Sequence, residues 1–279
     1  MTVVLAGCGD LGTEIGLRFA GTGRRVLGLR RRTDVLPPQI AGLRVDLAHE
    51  VPTLPDDTET VVVVLTADRR TADGYRTTYL RGLTHVLDSL NTVQAQPRVL
   101  LVSSTAVYGV NDGSWVDEDT PAEPRSATGR VLLEVESELL RRRPGATILR
   151  LTGLYGPGRG RMIERVRAGT VEEPTTPTYT NRIHRDDAAA AVLHLATAVT
   201  APDSVYVGVD DAPVERSHLL RFLADELGVE APPSDEGDAA PGGKRFRNTL
   251  LRATGFEFAY PTYREGYRAV LAGNGTRHP

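Results

Sequence analysis

Cysteine is almost absent: Cys8 is the only one in 279 residues. A single thiol excludes an intramolecular disulfide and fits a reducing, cytoplasmic setting. Lysine is as scarce, with Lys244 alone among 33 basic residues, so no lysine is placed to serve a Walker loop. No stretch approaches 18 uncharged apolar residues, and nothing is expected to span a bilayer. No basic region or long apolar run precedes the first strand, so a cleavable leader is not expected. The six histidines are scattered without metal-ligand spacing, and no metal is expected. A Gly-x-Ser-x-Gly nucleophile elbow is missing. The net charge of −3 gives no bulk attraction to nucleic acid or to an anionic membrane.

What is present is an ordinary globular mixture, 40% apolar and 25% charged. The length suits one α/β domain with a small appendage. Apolar runs alternate with helical periods, the signature of parallel βαβ units. Strands are expected at 2–6, 26–29, 43–45, 60–65, 98–102 and 146–151. Between them Leu11, Ile15 and Phe19 mark one helix, and Tyr75, Tyr79, Leu83, Val86 and Leu90 a longer one. Val131, Leu132, Val135 and Leu139 mark a third, stopped by Arg141–Arg143 and then Pro144-Gly145. Beyond residue 155 the rhythm loosens. Asp186 is expected to cap an alanine-rich helix to Ala198, and Ser217 a helix ending at Gly228. Residues 231–243 read as a surface loop. The fold expected is α/β: a Rossmann-type, doubly wound parallel sheet over residues 1–155, with a partly interwoven small substrate-binding subdomain over 156–279.

Gly7-Cys8-Gly9-Asp10-Leu11-Gly12 is a Gly-x-Gly-x-x-Gly that follows an apolar strand and opens a helix. In that context Gly7 permits the tight turn, Gly9 lets the backbone approach a pyrophosphate, and Gly12 lets helix and strand pack closely. The amides of the helix start, around Asp10 and Leu11, then face the phosphates. Cys8 reads as a small residue in a cramped turn. Sites that prefer NAD place an acid on the ribose hydroxyls about 20 residues past the glycines. Here Arg30-Arg31-Arg32 stands at the end of the second strand, and the nearest acid is Asp34. A guanidinium can fork onto a 2′-phosphate that a carboxylate would repel, so the cofactor expected is NADP(H). Asp46 is placed to meet the adenine edge, and Leu65-Thr66-Ala67 to lie against the cofactor.

Ser103-Ser104-Thr105-Ala106-Val107-Tyr108-Gly109 closely resembles the Ser-Ser-x-x-Val-Tyr-Gly signature of the extended short-chain dehydrogenases/reductases, the epimerase/dehydratase-like family. Further matches are the glycine loop, the segments 150–157 and 181–187, and the closing Tyr260-Pro261-Thr262-Tyr263-Arg264-Glu265-Gly266. The resemblance covers nearly the whole chain. It implies a seven-stranded parallel sheet, a small C-terminal substrate domain, a small-molecule substrate, and a homodimer built on the helices at 74–91 and 128–143. The short cap favours a compact substrate over a nucleotide sugar.

The chain departs from the family at its catalytic core, a Ser followed by Tyr-x-x-x-Lys. Ser104 takes the serine position, but Thr128 stands at the tyrosine and Leu132 at the lysine. Threonine has no acid/base function near neutrality, so the usual proton relay cannot run through these positions. Ser104 and Thr128 are expected to orient a substrate oxygen. Tyr108 and Tyr155 follow strand ends on the ligand side and are candidate proton donors, each alternatively a structural tyrosine. Arg182 is a candidate grip for a substrate carboxylate or phosphate, or else part of an ion pair with Asp186 or Asp187. His184 is a candidate that titrates near neutrality, or else a loop anchor. Three readings stay open: an NADP(H)-dependent oxidoreductase of a small carbonyl, an epimerase or dehydratase, and a non-catalytic NADPH-binding sensor or scaffold.

Overall fold

A computed structural model describes residues 1–93, 96–171, 176–232 and 241–279. Its first strand, β1 (Thr2–Ala6), is buried along its whole length, as an unbroken apolar run must be at a sheet centre. The glycine loop turns the chain into α1 (Asp10–Gly21), whose Leu11, Ile15 and Phe19 face inward. The chain continues through β2 (Arg25–Arg30), β3 (Ala41–Arg44) and β4 (Thr58–Val63). A helical rod follows: α2 (Ala72–Tyr75), a π-helical segment Arg76–Arg81, and α3 (Gly82–Ser89). Next come β5 (Arg98–Ser104), β6 (Asp112–Val116), α4 (Ala127–Arg142), β7 (Thr147–Leu151) and β8 (Gly153–Tyr155).

The second half contributes α5 (Arg161–Arg167), β9 (Thr178–Thr180), β10 (Arg182–His184), α6 (Arg185–Thr197) and β11 (Val205–Gly208). It ends with β12 (Val214–Glu215), α7 (Arg216–Leu227), β13 (Gly242–Phe246), α8 (Thr249–Ala253) and α9 (Tyr263–Leu271).

Seven strands form one sheet in the order β11-β7-β5-β4-β1-β2-β3, and every neighbouring pair in it is parallel. The strand order reverses between β1 and β4, which opens a crevice at their C-terminal ends where open α/β sheets bind ligands. Helices α1 and α6 cover one face, with Ile15 and Phe19 against Ala188 and Val192. The small side chains of the alanine-rich α6 let the two helices approach closely. The opposite face is covered by α3 and α4 through Leu83, Val86, Val131 and Val135. A third apolar cluster joins α5, α7 and α9 through Ile163, Leu223 and Tyr267. It supports the four-stranded β12-β9-β13-β6 and two-stranded β10-β8 sheets.

Several local expectations are corrected. The N-cap of α6 is His184, not Asp186: its ring Nδ1 accepts from the Asp186 amide at 3.2 Å. The N-cap of α7 is Glu215, not Ser217, although the helix does end at Gly228 with φ +65°. The rod at 72–89 is not a uniform α-helix, because its middle is π-helical. Short strands β6, β9, β12 and β13 carry too little periodicity to be read locally and exist through their pairing with one another. The expected loop at 231–243 lies mostly outside the described residues, and its last two positions open β13.

Candidate functional site

Gly7 has φ +97°, a conformation that a β-carbon resists. A Cβ there would lie 2.6 Å from the Val64 carbonyl oxygen, and one at Gly12 would lie 2.4 Å from the carbonyl oxygen of Gly7. These two glycines are therefore required by the fold itself. Gly9 differs: a Cβ there would meet nothing within 4 Å. No side chain caps α1 at Gly9, so the helix start presents uncapped amides to open space, the arrangement that receives an anion. Cys8 is fully buried, and burial pushes its thiol above the ordinary range, partly offset by Thr13 and Arg30. It serves as a small core residue.

Two cavities meet at Gly9. The first, about 530 Å³, is walled by Gly7, Cys8, Arg30, Arg31, Asp46 and Thr66, with Asp68 at its edge. The three arginines behave differently. Arg30 donates to the Cys8 carbonyl at 2.9 Å and to the Pro279 carbonyl at 3.1 Å, fastening the glycine loop. Arg31 forks onto Asp68, Nη1 to Oδ2 at 2.7 Å and Nη2 to Oδ1 at 3.0 Å. Arg32 stands 3.8 Å from Asp34. Asp46 accepts from the Ala48 amide at 3.1 Å and so shapes the turn after β3.

The second cavity, about 370 Å³, is walled by Gly9–Gly12, Leu65, Thr66, Ser104 and Thr128, with Leu132 at the position where the resemblance implies a lysine. Ser104 Oγ accepts from the Ala106 amide at 3.2 Å. Thr128 Oγ1 lies 3.3 Å from Ser126 Oγ, at the start of α4. Ser104 and Thr128 are thus brought to one cavity from two elements. Ala67 lines neither cavity.

Tyr108 and Tyr155 do not open onto this cleft. The Tyr108 side chain is buried, and Arg150 Nη1 donates to its hydroxyl at 2.7 Å. Burial pushes the phenol upward in pKa despite the guanidinium. The same Arg150 pairs with Glu136 at 2.7 Å, and Ser103 Oγ donates to Glu136 at 2.5 Å. Tyr108 therefore belongs to a buried polar brace under β5 and β7. Tyr155 stacks on Tyr267 at 4.5 Å between ring centroids, and its hydroxyl is buried with no hydrogen-bond partner among the described residues. Burial, with Asp210 nearby, raises its pKa strongly. Neither tyrosine lines the cavity that brings Ser104 and Thr128 together.

Arg182 and His184 line neither cavity. Arg182 lies over the Tyr267 ring at 5.8 Å. His184 is buried, and burial holds its pKa well below the usual imidazole range. The ion pair expected of Arg182 is made instead by Arg185, which reaches Asp10 at 3.0 Å, Asp186 at 2.7 Å and Glu14 at 3.5 Å. Asp10 also holds Arg159 at 2.8 Å and accepts from the His278 amide at 3.1 Å. Burial works against ionisation of Asp10, but these partners outweigh it and leave its carboxyl below the ordinary value.

Sequence reasoning missed Asp68, Arg70, Tyr75, Tyr79 and Arg159, all of which reach the cavities. Tyr75 and Tyr79 look like core positions at helical spacing. They partly are, with rings 4.9 Å apart, but both also line the second cavity, Tyr75 just before the π-helical segment and Tyr79 within it. For Asp68 and Arg159 no local pattern signals the role. Among the described residues no cluster of His, Cys, Asp or Glu could hold a metal, and no helix is long and apolar enough to cross a membrane.

A seven-stranded parallel sheet with a glycine loop and uncapped helix amides at its switch point is a doubly wound fold of the Rossmann type. The particular lineage is equally clear. The profile of the NAD dependent epimerase/dehydratase family matches residues 3–208, and the chain belongs to that family. A putative NAD-dependent epimerase/dehydratase from Methylobacillus flagellatus is 36% identical over 98% of both chains, with a TM-score of 0.82. A functionally unknown conserved protein from Silicibacter pomeroyi DSS is 25% identical over 99% of both, with a TM-score of 0.73. The NAD complex of UDP-glucose 4-epimerase from Thermus thermophilus shares the fold at 18% identity over 97% of both chains, with a TM-score of 0.75. No curated protein matches the sequence.

Proposed function

We propose that the protein is an NADP(H)-dependent oxidoreductase of the atypical short-chain dehydrogenase/reductase type, acting on a small carbonyl-type substrate. The observation that carries the reading is the pair of cavities joined at Gly9, one edged by arginines and the other walled by Ser104 and Thr128. The open space at Gly9 and the uncapped α1 amides fit a pyrophosphate. Family membership supports a nicotinamide dinucleotide, and Arg31 supports the 2′-phosphorylated form. When bound, the reduced nicotinamide supplies the hydride.

The chain's own residues do the rest. The α1 amides hold the pyrophosphate, and the Ser104 and Thr128 hydroxyls orient the substrate oxygen. Leu132 and Val102 exclude water from the inner wall. The proton comes from Tyr75, a residue of the same cavity wall, or from water. The reading includes a cytoplasmic setting and a homodimer, with α4 and the rod at 72–89 as the pairing surface.

A second reading is favoured by Thr128 and Leu132 standing together in the cavity wall: a non-catalytic NADPH-binding sensor or scaffold. The family's epimerase and dehydratase chemistry is the third. One assay series separates them. Titration calorimetry with NADPH and NADH comes first, followed by NADPH oxidation on an aldehyde and ketone panel. Net oxidation supports the reductase, and Ser104→Ala and Thr128→Val should each lower its kcat/KM by about tenfold or more. Tight binding without turnover supports the sensor. Turnover without net consumption supports the epimerase. Arg31→Ala should weaken NADPH much more than NADH, and equal weakening would remove the 2′-phosphate assignment.

A further inference from the structure

We infer that Asp68 sets the dinucleotide preference of this site by competing with a 2′-phosphate for Arg31. The inference rests on the assignment of the first cavity to the adenosine half of a nicotinamide dinucleotide. Arg30 donates to the backbone of the glycine loop and of the chain end. Arg32 also lines the first cavity, but its contact with Asp34 is a loose 3.8 Å and not a fork. Arg31 is left as the one of the three whose whole fork is held by a single carboxylate at the cavity edge.

That carboxylate comes from the opposite side of the crevice. Arg31 follows β2 and Asp68 follows β4, with β1 and the glycine loop between them. The bidentate pair therefore spans the edge of the first cavity, beside the space open to an adenine ribose. Its geometry is that of a guanidinium on a phosphate, with Asp68 supplying the two oxygens.

The pair is also cheap to open. The two side chains are 61% and 67% exposed, and exposed ion pairs contribute little to stability. A phosphate monoester carries more charge than a carboxylate and offers three acceptor oxygens. It can take the Arg31 fork, but it must first displace Asp68 and then tolerate that carboxylate beside it. A ribose with a free 2′-hydroxyl meets neither cost. It leaves the bridge closed and can donate to Asp68. Asp68 therefore lowers the affinity for the phosphorylated cofactor and spares the unphosphorylated one. The arginine run by itself overstates the NADPH preference, because one of its members is already spoken for.

The test is titration calorimetry of the full chain with NADPH and NADH at fixed ionic strength, for the wild type and Asp68→Asn. Asparagine keeps the shape and removes the charge at an exposed position, so the fold should be unaffected. NADPH affinity should rise roughly five- to tenfold in Asp68→Asn, with NADH unchanged within about twofold. The NADPH gain should shrink as salt is raised, since an exposed charge effect is screened. An equal change in both cofactors, or a loss of NADPH affinity, overturns the inference. If the wild type prefers NADH but Asp68→Asn still moves the ratio toward NADPH, the inference stands and the NADP(H) assignment of the wild type falls.

Discussion

At the scale of single residues, the glycine loop separates structural from functional demands. Gly12 is fixed by a backbone contact, while Gly9 faces only open space. Gly12→Ala should therefore unfold or strongly destabilise the protein, by about 2 kcal/mol or more, since overpacking against backbone has no cheap relief. Gly9→Ala should leave the melting temperature within a few degrees of wild type while dinucleotide affinity falls by about tenfold or more. Thermal melts beside calorimetry check both, and full cofactor affinity in Gly9→Ala would place the pyrophosphate elsewhere.

Two buried groups give the residue scale a pH signature. Burial raises the Asp210 carboxyl to about 8 from an ordinary 3.8, outweighing the Ala212 amide and Arg182. Between those values the folded state keeps a proton that the unfolded state has lost, so this group makes stability fall as pH rises toward 8. His184 acts in the opposite sense and in another window. Its folded pKa is depressed from 6.5 by burial, so stability is lost as pH falls below about 6.5. Of the two, only Asp210 operates between pH 6.5 and 8. Asp210→Asn should remove a slope of up to about 1.4 kcal/mol per pH unit there. Parallel denaturation curves for variant and wild type across that range would show Asp210 ionised in the folded state.

At the scale of elements, β5, α4 and β7 are tied by Ser103, Glu136 and Arg150, with Tyr108 as the fourth member. The pair is deeply buried, with side chains 2% and 8% exposed. Removing one partner strands the other, so Glu136→Ala should cost about 3–5 kcal/mol, measured by urea unfolding. Glu136→Gln keeps one acceptor oxygen but sets an amide N–H against the Arg150 guanidinium and leaves its charge unpaired, so it should also destabilise the protein. Because the brace sits behind Ser104, its loss should also lower affinity for substrate in the second cavity. A Glu136→Ala protein as stable as wild type would mean that the brace contributes nothing. The same scale shows where pattern reading stops. Val61–Val63 announce a buried strand without help, whereas Tyr75 and Tyr79 are indistinguishable from core until the π-helical segment is seen.

At the scale of the whole molecule, Arg185 links α1 to α6 and to the segment around Thr276. It binds Asp10, Asp186 and the Thr276 carbonyl, the last at 2.8 Å, and its side chain is 2% exposed. Arg185→Ala would leave Asp10 and Glu14 less compensated beside the pyrophosphate amides. It should destabilise the protein by about 3 kcal/mol and weaken NADPH and NADH by similar factors, unlike changes at Arg31. Calorimetry with both cofactors checks this, and a selective loss of NADPH would place Arg185 near the 2′-phosphate instead.

Apolar runs and helical periods in the amino-acid order alone determined the parallel βαβ succession, since burial on both faces of a strand leaves a local mark. So did the glycine turn, because only glycine fits the backbone at Gly7 and Gly12. The three-dimensional arrangement decided which hydroxyls face the cleft and which carboxylate Arg31 holds. Tyr108 and Tyr155 carry the right chemistry in motif-like places, yet Arg150 on β7 and Tyr267 on the last helix claim them. Asp68 reaches Arg31 across 37 residues. Contacts between distant side chains leave no trace in local sequence, because their geometry exists only after the sheet has formed.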